Sequence, residues 1–181
     1  MRKLILLVAV TAACYAATAQ KYMTRNGVIT FYSKTPVEDI KATNNQVYAV
    51  IDAGNKNLAF TLLLKGFLFA KELMQQHFNE KYVESDKYPK ASFTGSYTGD
   101  INLAKDGTYN ATVKGQLTLH GVTKPVEAPA TMQVQNGKLI GKCDFKISPA
   151  DYNISIPSLV KDKIAKQLDV SVLVDCSAAK S

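Results

Sequence analysis

Tryptophan is absent from the 181 residues, and histidine occurs only twice, at His77 and His120. An enzyme needs a base, a nucleophile or a metal held in a defined constellation. Two distant histidines and the scattered cysteines give no metal-ligand spacing. No serine stands in a G-x-S-x-G elbow, and no glycine-rich phosphate loop opens a helix. The carboxylates are dispersed, with no pair placed to act as acid and base. These absences argue against catalysis, a metal site and a resident cofactor. His77 reads as a residue beside an apolar helix stripe, and His120 as part of a turn. Arginine is scarce as well, represented by Arg2 and Arg25. With lysines spread singly along the chain, nucleic acid is excluded as a partner. The aliphatic run Leu4 to Val10 falls short of the roughly 20 residues that span a bilayer.

What is present begins with a leader. Arg2 and Lys3 precede that run, and Ala17-Thr18-Ala19 follows as a small-x-small pattern. This order predicts a signal peptide over residues 1–19, cut before Gln20, and one domain over 20–181. A rival reading is lipidation of Cys14, although Thr11 occupies a position where lipoproteins prefer a larger aliphatic residue. Removing Arg2 and Lys3, with no acidic residue alongside them, lowers the formal net charge from +7 to +5. The charge of a moderately basic domain reads as serving solubility, with attraction to anionic head groups or a membrane surface as the alternative. The leader predicts export, and its Met1-Arg2-Lys3 start suggests a bacterial periplasm as the destination.

Beyond the leader the pattern is mainly of strands. Runs rich in β-branched and aromatic residues cover 27–34, 46–52, 58–65, 91–97, 109–119, 126–134, 139–147 and 169–176. Polar clusters at Thr43-Asn44-Asn45 and Gly54 to Asn57 read as turns, and Asn136-Gly137 is the strongest hairpin signal. Between Gly66 and Val83 the apolar spacing changes to threes and fours, which predicts a helix of about four turns. It ends before Tyr88-Pro89, because the residue before proline avoids the helical conformation. Val160, Ile164 and Leu168 predict a second, short helix. The expected fold is all-β, an eight-stranded antiparallel barrel, with a two-sheet sandwich as the alternative. Closure into a barrel would remove exposed strand edges.

Cys143 and Cys176 lie on the last two strand runs. If facing residues sum to 319, Cys143 meets Cys176, Phe145 meets Val174 and Ile147 meets Val172, all on one apolar face. Export makes a disulfide sustainable, so a Cys143–Cys176 bridge is expected, with two buried thiols as the alternative.

Seven phenylalanines remain in the mature chain, and several alternate with aliphatic residues along strands. Ile29 shares a face with Phe31, and Phe60 with Leu62 and Leu64. With Phe67, Phe69, Met74, Phe78, Phe93 and Phe145, they are the candidates to line a ligand cavity. Taken singly, each is better read as part of an ordinary packed core, and only a barrel of this size makes a cavity the reading for the set.

One stretch is more specific. Gly115 to Val126 reads GQLTLHGVTKPV, and His77-Phe78-Asn79 is followed by Asp86 to Phe93, DKYPKASF. Together with the aliphatic run ending in Ile51-Asp52-Ala53, these segments resemble the YceI-like family over roughly Gly27 to Asp175. The motif itself is structural: Leu117 and Leu119 alternate with Thr118 and His120, Gly121 permits a bend, and Pro125 fixes φ. The resemblance implies a lipocalin-like barrel that encloses a long isoprenoid chain, such as a quinone or a prenyl phosphate. The short Gln135 to Lys138 loop and the Lys71 to Met74 segment depart from relatives, and both are expected to reshape the barrel mouth.

The function expected is an exported carrier or reservoir that binds a long isoprenoid or similar amphiphilic lipid in the barrel interior. Transient contact with a membrane surface fits the charge. The alternative is a ligand-free stress or interaction module whose barrel is filled by its own side chains. Nothing in the pattern of residues sets an oligomeric state.

Overall fold

The computed structural model describes residues 20–179, so the leader and Cys14 lie outside the described residues. Eight long strands form the molecule: β1 (Lys21–Lys34), β2 (Asp39–Asp52), β3 (Asn57–Leu63), β5 (Lys90–Thr98), β6 (Gly107–Leu119), β7 (Val122–Gln135), β8 (Lys138–Ile147) and β9 (Leu168–Ala178). A two-residue strand, β4 (Leu68–Phe69), joins the edge of β2. Neighbouring strands are antiparallel, in the order β1-β9-β8-β7-β6-β5-β3-β2, and β2 pairs with β1 to close the ring. The barrel, and not the sandwich, is therefore the arrangement adopted.

Closure puts alternate residues inside, and two bulges adjust that alternation. Tyr22 faces inward near one end, while Gly27, Ile29, Phe31 and Ser33 do so further along. The even-to-odd switch falls where the β1–β2 register shifts, between Thr24 and Gly27 and again between Gly27 and Ile29. A bulge inserts an unpaired residue and so changes which face later residues occupy. Opposite this shift, the buried Asn44 holds the irregular backbone. Its Oδ1 accepts from the Gln46 amide at 2.8 Å, and its Nδ2 donates to the Leu63 carbonyl at 2.9 Å. The polar cluster at Thr43 to Asn45, expected as a turn, is this bulge within the continuous β2.

The two ends of the barrel differ. The 53–56, 99–106 and 136–137 connections gather at one end, above a packed floor containing Tyr22, Ile51, Leu58, Tyr97, Met132 and Leu139. Ile101 and Leu103, from the 99–106 connection, pack against that floor. The longer connections, 64–89 and 148–167, meet at the other end with the 35–38 and 120–121 turns. They form the mouth. Asn136-Gly137 is the expected two-residue hairpin turn, with φ of 51° and 74° at its two residues. It lies at the floor end, so its shortness does not shape the mouth as anticipated.

The helical content also corrects the expectation. Helix α1 spans Glu72–His77, six residues, and continues as a five-residue π turn over Phe78–Tyr82. Gly66 to Phe69 instead make a 3₁₀ turn and β4. Phe67, Leu68 and Phe69 suit an extended backbone, and the pairing of Leu68 and Phe69 with Thr43 and Ala42 uses a free edge of β2. No second α-helix forms among the described residues, and Ser158–Val160 is a single 3₁₀ turn.

The expected disulfide is contradicted. Cys143 lies opposite Val172, and Cys176 lies opposite Leu139. Both thiols are free. Facing residues sum to 315, a slip of four from the expected register. Four residues of strand are about 13 Å, well beyond the roughly 7 Å limit for bridging Cα atoms. An even slip keeps the same residues inside, so alternation alone could not detect it.

Candidate functional site

Three cavities follow one another along the barrel. The innermost, about 100 Å³, lies above the floor and is bounded by Phe60, Phe93, Val113, Met132 and Val172 among others. A middle cavity of about 120 Å³ is bounded by Leu62, Leu64, Phe67, Leu119, Ile147 and Val170. Ile29, Leu117 and Phe145 line both, so they form a waist between them. The outermost, about 380 Å³, is a vestibule under α1 and the 148–167 crossover. Protein interiors ordinarily leave few voids larger than a water molecule. A series of apolar voids along the barrel axis is therefore a property of this molecule that needs a use.

A cluster of four phenylalanines stands between the vestibule and the middle cavity. Phe78 lies 5.6 Å from Phe31, 5.6 Å from Phe67 and 5.1 Å from Phe69, measured between ring centres. Phe31 also meets Phe67 at 5.3 Å and Phe69 at 5.8 Å. Phe31 and Phe78 line both cavities. The π turn starts at Phe78, with the Val83 amide donating to the Phe78 carbonyl at 2.9 Å. Such turns recur at functional sites because they redirect side chains within a helix. Here one carries the ring that closes the gate. Deeper in, Phe60 and Phe93 pack edge to face at 6.2 Å.

All eleven sequence-derived candidates line one of these cavities. Phe60 and Phe93 are in the innermost, Leu62, Leu64 and Phe67 in the middle, and Phe69 and Met74 in the vestibule. Ile29, Phe145, Phe31 and Phe78 stand at the constrictions. Leu117 and Leu119, whose alternation marks the fold, also belong to the wall; the same alternation is the signal that finds them. Of the crossover residues, Pro149 and Ile154 carry no regular spacing that could have assigned them to it, and the spacing of Ile164 with Val160 and Leu168 predicts a helix that does not form.

The vestibule is the polar end of the series. Lys71 Nζ donates to Glu38 Oε1 at 2.8 Å, and Lys163 and His77 line the same space. The Lys71 ammonium, with Lys163 adding to it, holds the Glu38 carboxyl below its ordinary value. A cation-rich vestibule above an apolar bore suits an amphiphile with its polar group outward.

His120 ties the mouth together. Its φ of 52° and the 75° of Gly121 make the two-residue turn between β6 and β7. The Tyr152 carbonyl accepts from Nδ1 at 2.9 Å, and Nε2 lies 2.8 Å from Glu84 Oε2. Tyr88 packs its ring at 4.5 Å from the imidazole. One side chain thus links the β6–β7 turn to both long connections at the mouth. His77, by contrast, is exposed at the end of α1. The two histidines are not brought together into one site.

Cys143 lines the innermost cavity. Burial, reinforced by Asp144, pushes its thiol up to about 11, and burial with Asp175 pushes Cys176 up to about 12. Raised thiols stay neutral and unreactive near neutral pH, so Cys143 contributes apolar surface and not a nucleophile.

Against known proteins, the model of the YceI-like domain matches residues 20–175. No curated protein matches the chain. Among solved structures, a polyisoprenoid-binding domain from Saccharophagus degradans implicated in plant cell wall breakdown superposes with a TM-score of 0.75. It is 15% identical, over 88% of this chain and 98% of that one. BcnA of Burkholderia cenocepacia gives 0.67 at 16% identity, over 83% and 96%. The YceI protein of Campylobacter jejuni gives 0.59 at 19% identity, over 77% and 85%. At these identities the likeness is one of fold.

Proposed function

The chain belongs to the YceI-like domain family, and on that premise we propose that it is an exported carrier or reservoir for a long isoprenoid or similar amphiphilic lipid. The observation that carries this reading is the row of apolar cavities inside the barrel, opening at a charged vestibule. The tail enters past Phe31 and Phe78, fills the middle cavity, and crosses the waist into the innermost one. Burying it is favourable by about 25 cal/mol per Å² of apolar surface removed from water. The similar Saccharophagus protein is a polyisoprenoid-binding domain, which agrees with that ligand class.

Size refines the proposal. An apolar cavity of about 150 Å³ binds one benzene-sized molecule, so each inner cavity suits a single small branched unit of a chain. A longer tail requires Ile29, Leu117 and Phe145 to turn aside and join the cavities. The unliganded barrel is then a partly closed form, widened by its ligand. The reading is one of binding without catalysis, because burial keeps Cys143 neutral and the two histidines stand apart. Cavities along the axis also favour it over a barrel filled by its own side chains.

Organic extraction of protein purified from its native host, followed by mass spectrometry, tests the proposal. A prenyl lipid in near-stoichiometric amount is the expected result. An empty extract, together with no uptake of a fluorescent prenyl probe, overturns it. Export has its own test: the mass of the mature protein from the host should correspond to a chain starting at Gln20, in the periplasmic fraction. A full-length chain in the cytoplasm would refute that part.

A further inference from the structure

Large apolar side chains stand exposed around the vestibule. Leu159 is 92% exposed, Leu73 61%, Val37 60% and Leu68 58%. Leu73 lines the vestibule, and the other three are immediate chain neighbours of residues that do: Val160, Glu38 and Phe69. They come from four separate connections or elements: the 35–38 turn, β4, α1 and the 148–167 crossover. Three connections, 35–38, 64–89 and 148–167, thus deliver aliphatic groups to the same rim. Their neighbours Phe69 and Val160 line the vestibule instead.

Exposed lysines stand beside this rim. The crossover carries Lys161, Lys163 and Lys166 against Asp151 and Asp162. Lys161, Lys163 and Lys166 are exposed and make no ion pair among the described residues. The Ala165 amide donates to Ser33 Oγ at 2.8 Å, fastening this lysine-bearing segment to the end of β1 at the mouth. Apolar side chains flanked by lysines are the composition of an interfacial membrane contact, in which the apolar groups enter the head-group boundary and the lysines meet anionic lipids.

We propose that the mouth of the barrel docks on a bilayer surface containing anionic lipids. Leu73 and Leu159 enter the interface, with Val37 and Leu68 at its margin, and the crossover lysines meet the head groups. The docking goes beyond the carrier reading, since it concerns the outside of the mouth and not its cavities. It also gives that reading a route: a prenyl chain leaving the bilayer would pass into the vestibule without crossing open water. A second copy of this chain is the less favourable occupant. A two-fold contact apposes identical surfaces, and here it would bring the crossover lysines towards one another.

Co-sedimentation with vesicles containing no prenyl lipid tests this independently of the cargo. Vesicles of phosphatidylethanolamine and phosphatidylglycerol should pellet the full-length mature protein, and pure phosphatidylcholine vesicles should retain far less. Leu73→Asp combined with Leu159→Asp should lower the bound fraction about tenfold. Leu173→Asp, on the outer wall of β9 where that residue is 41% exposed, should leave it unchanged. Lys161→Glu with Lys163→Glu should remove the preference for anionic vesicles. Leu159→Asp alone, at a side chain that does not line the vestibule, should also weaken vesicle binding while uptake of a fluorescent prenyl probe persists, which separates docking from ligand binding. No vesicle binding, equal binding by the Leu73/Leu159 variant, or a dimer in solution that this variant dissolves would each overturn the proposal.

Discussion

His120 shows how one side chain can hold a mouth in place. It occupies left-handed backbone, which costs a non-glycine residue about 1 kcal/mol, and its ring satisfies partners on both long connections. His120→Ala keeps the backbone strain while removing both hydrogen bonds, and it leaves the Tyr152 carbonyl without its partner. A loss of about 2–3 kcal/mol in unfolding free energy is expected, read from urea midpoints. A change below about 0.5 kcal/mol, the range of ordinary surface substitutions, would show that the latch holds nothing.

Gly115 is constrained by space instead of charge. It pairs with Gly95, and a Cβ there would stand 2.4 Å from the Thr94 carbonyl oxygen and 2.5 Å from Phe93 Cζ. The Thr94 contact is backbone and cannot swing away, so β5 and β6 must part. Gly115→Ala should destabilise by about 1–3 kcal/mol, as overpacked interiors do, and should displace Phe93 from the innermost cavity. Thermal denaturation and prenyl-probe fluorescence would report the two effects separately.

Buried thiols add a pH dependence at the same scale. Their raised values mean that the folded state keeps protons that the unfolded chain gives up. Stability contributed this way is intact below about pH 9 and declines as pH climbs towards 11. Denaturant titrations at about pH 8 and about pH 10.5 should therefore show a fall that is shallower in the Cys143→Ala, Cys176→Ala double variant. Parallel falls in both proteins would assign the effect to the buried tyrosines Tyr22, Tyr97 and Tyr152, which burial also raises.

Secondary-structure elements differ in how much of them is legible in the residues alone. The eight strands are legible because each has one wet and one dry face, and period-two alternation reports that directly. Their pairing is less so. Asn136-Gly137 fixes the β7–β8 register through a two-residue turn, whereas β8 and β9 are joined by 20 residues, 148–167, that impose no offset. Parity holds there, and the slip of four is invisible to it. The cavity wall divides in the same way: Phe60, Leu62 and Phe93 follow from alternation, but Pro149 and Ile154 lie in irregular chain where no period exists. The start of the helix is illegible because Phe67 to Phe69 satisfy both patterns, and the free edge of β2 decides between them.

The π turn gives this element scale its own test. Phe78 closes the gate with its ring, while its backbone bond to Val83 survives truncation, so Phe78→Ala should open the gate without unpicking a strand. Prenyl-probe association is expected to quicken, with dissociation quickening by more, because the ring both obstructs entry and covers the bound tail. Stopped-flow fluorescence reads the two rates. Unchanged rates would place the route into the barrel elsewhere.

At the scale of the whole molecule, a folded chain keeps its interior partly empty. Each void forfeits dispersion contacts that a filled core would have, so the unliganded barrel is less stable than it could be. A ligand that binds only the folded state returns that stability, by about 2.7 kcal/mol when present at about a hundred times its dissociation constant. The waist decides how much of a chain can contribute. Leu117→Trp places a larger ring between the middle and innermost cavities, which blocks the deep half of the bore and leaves the gate and vestibule intact. Short prenyl alcohols that end above the waist should bind the variant and the parent protein alike. Chains long enough to pass it should lose about tenfold in affinity, equivalent to about 1.4 kcal/mol, and should raise the melting temperature of the variant less than that of the parent. Binding that weakens equally at every chain length would mean that the tail does not run down the barrel axis.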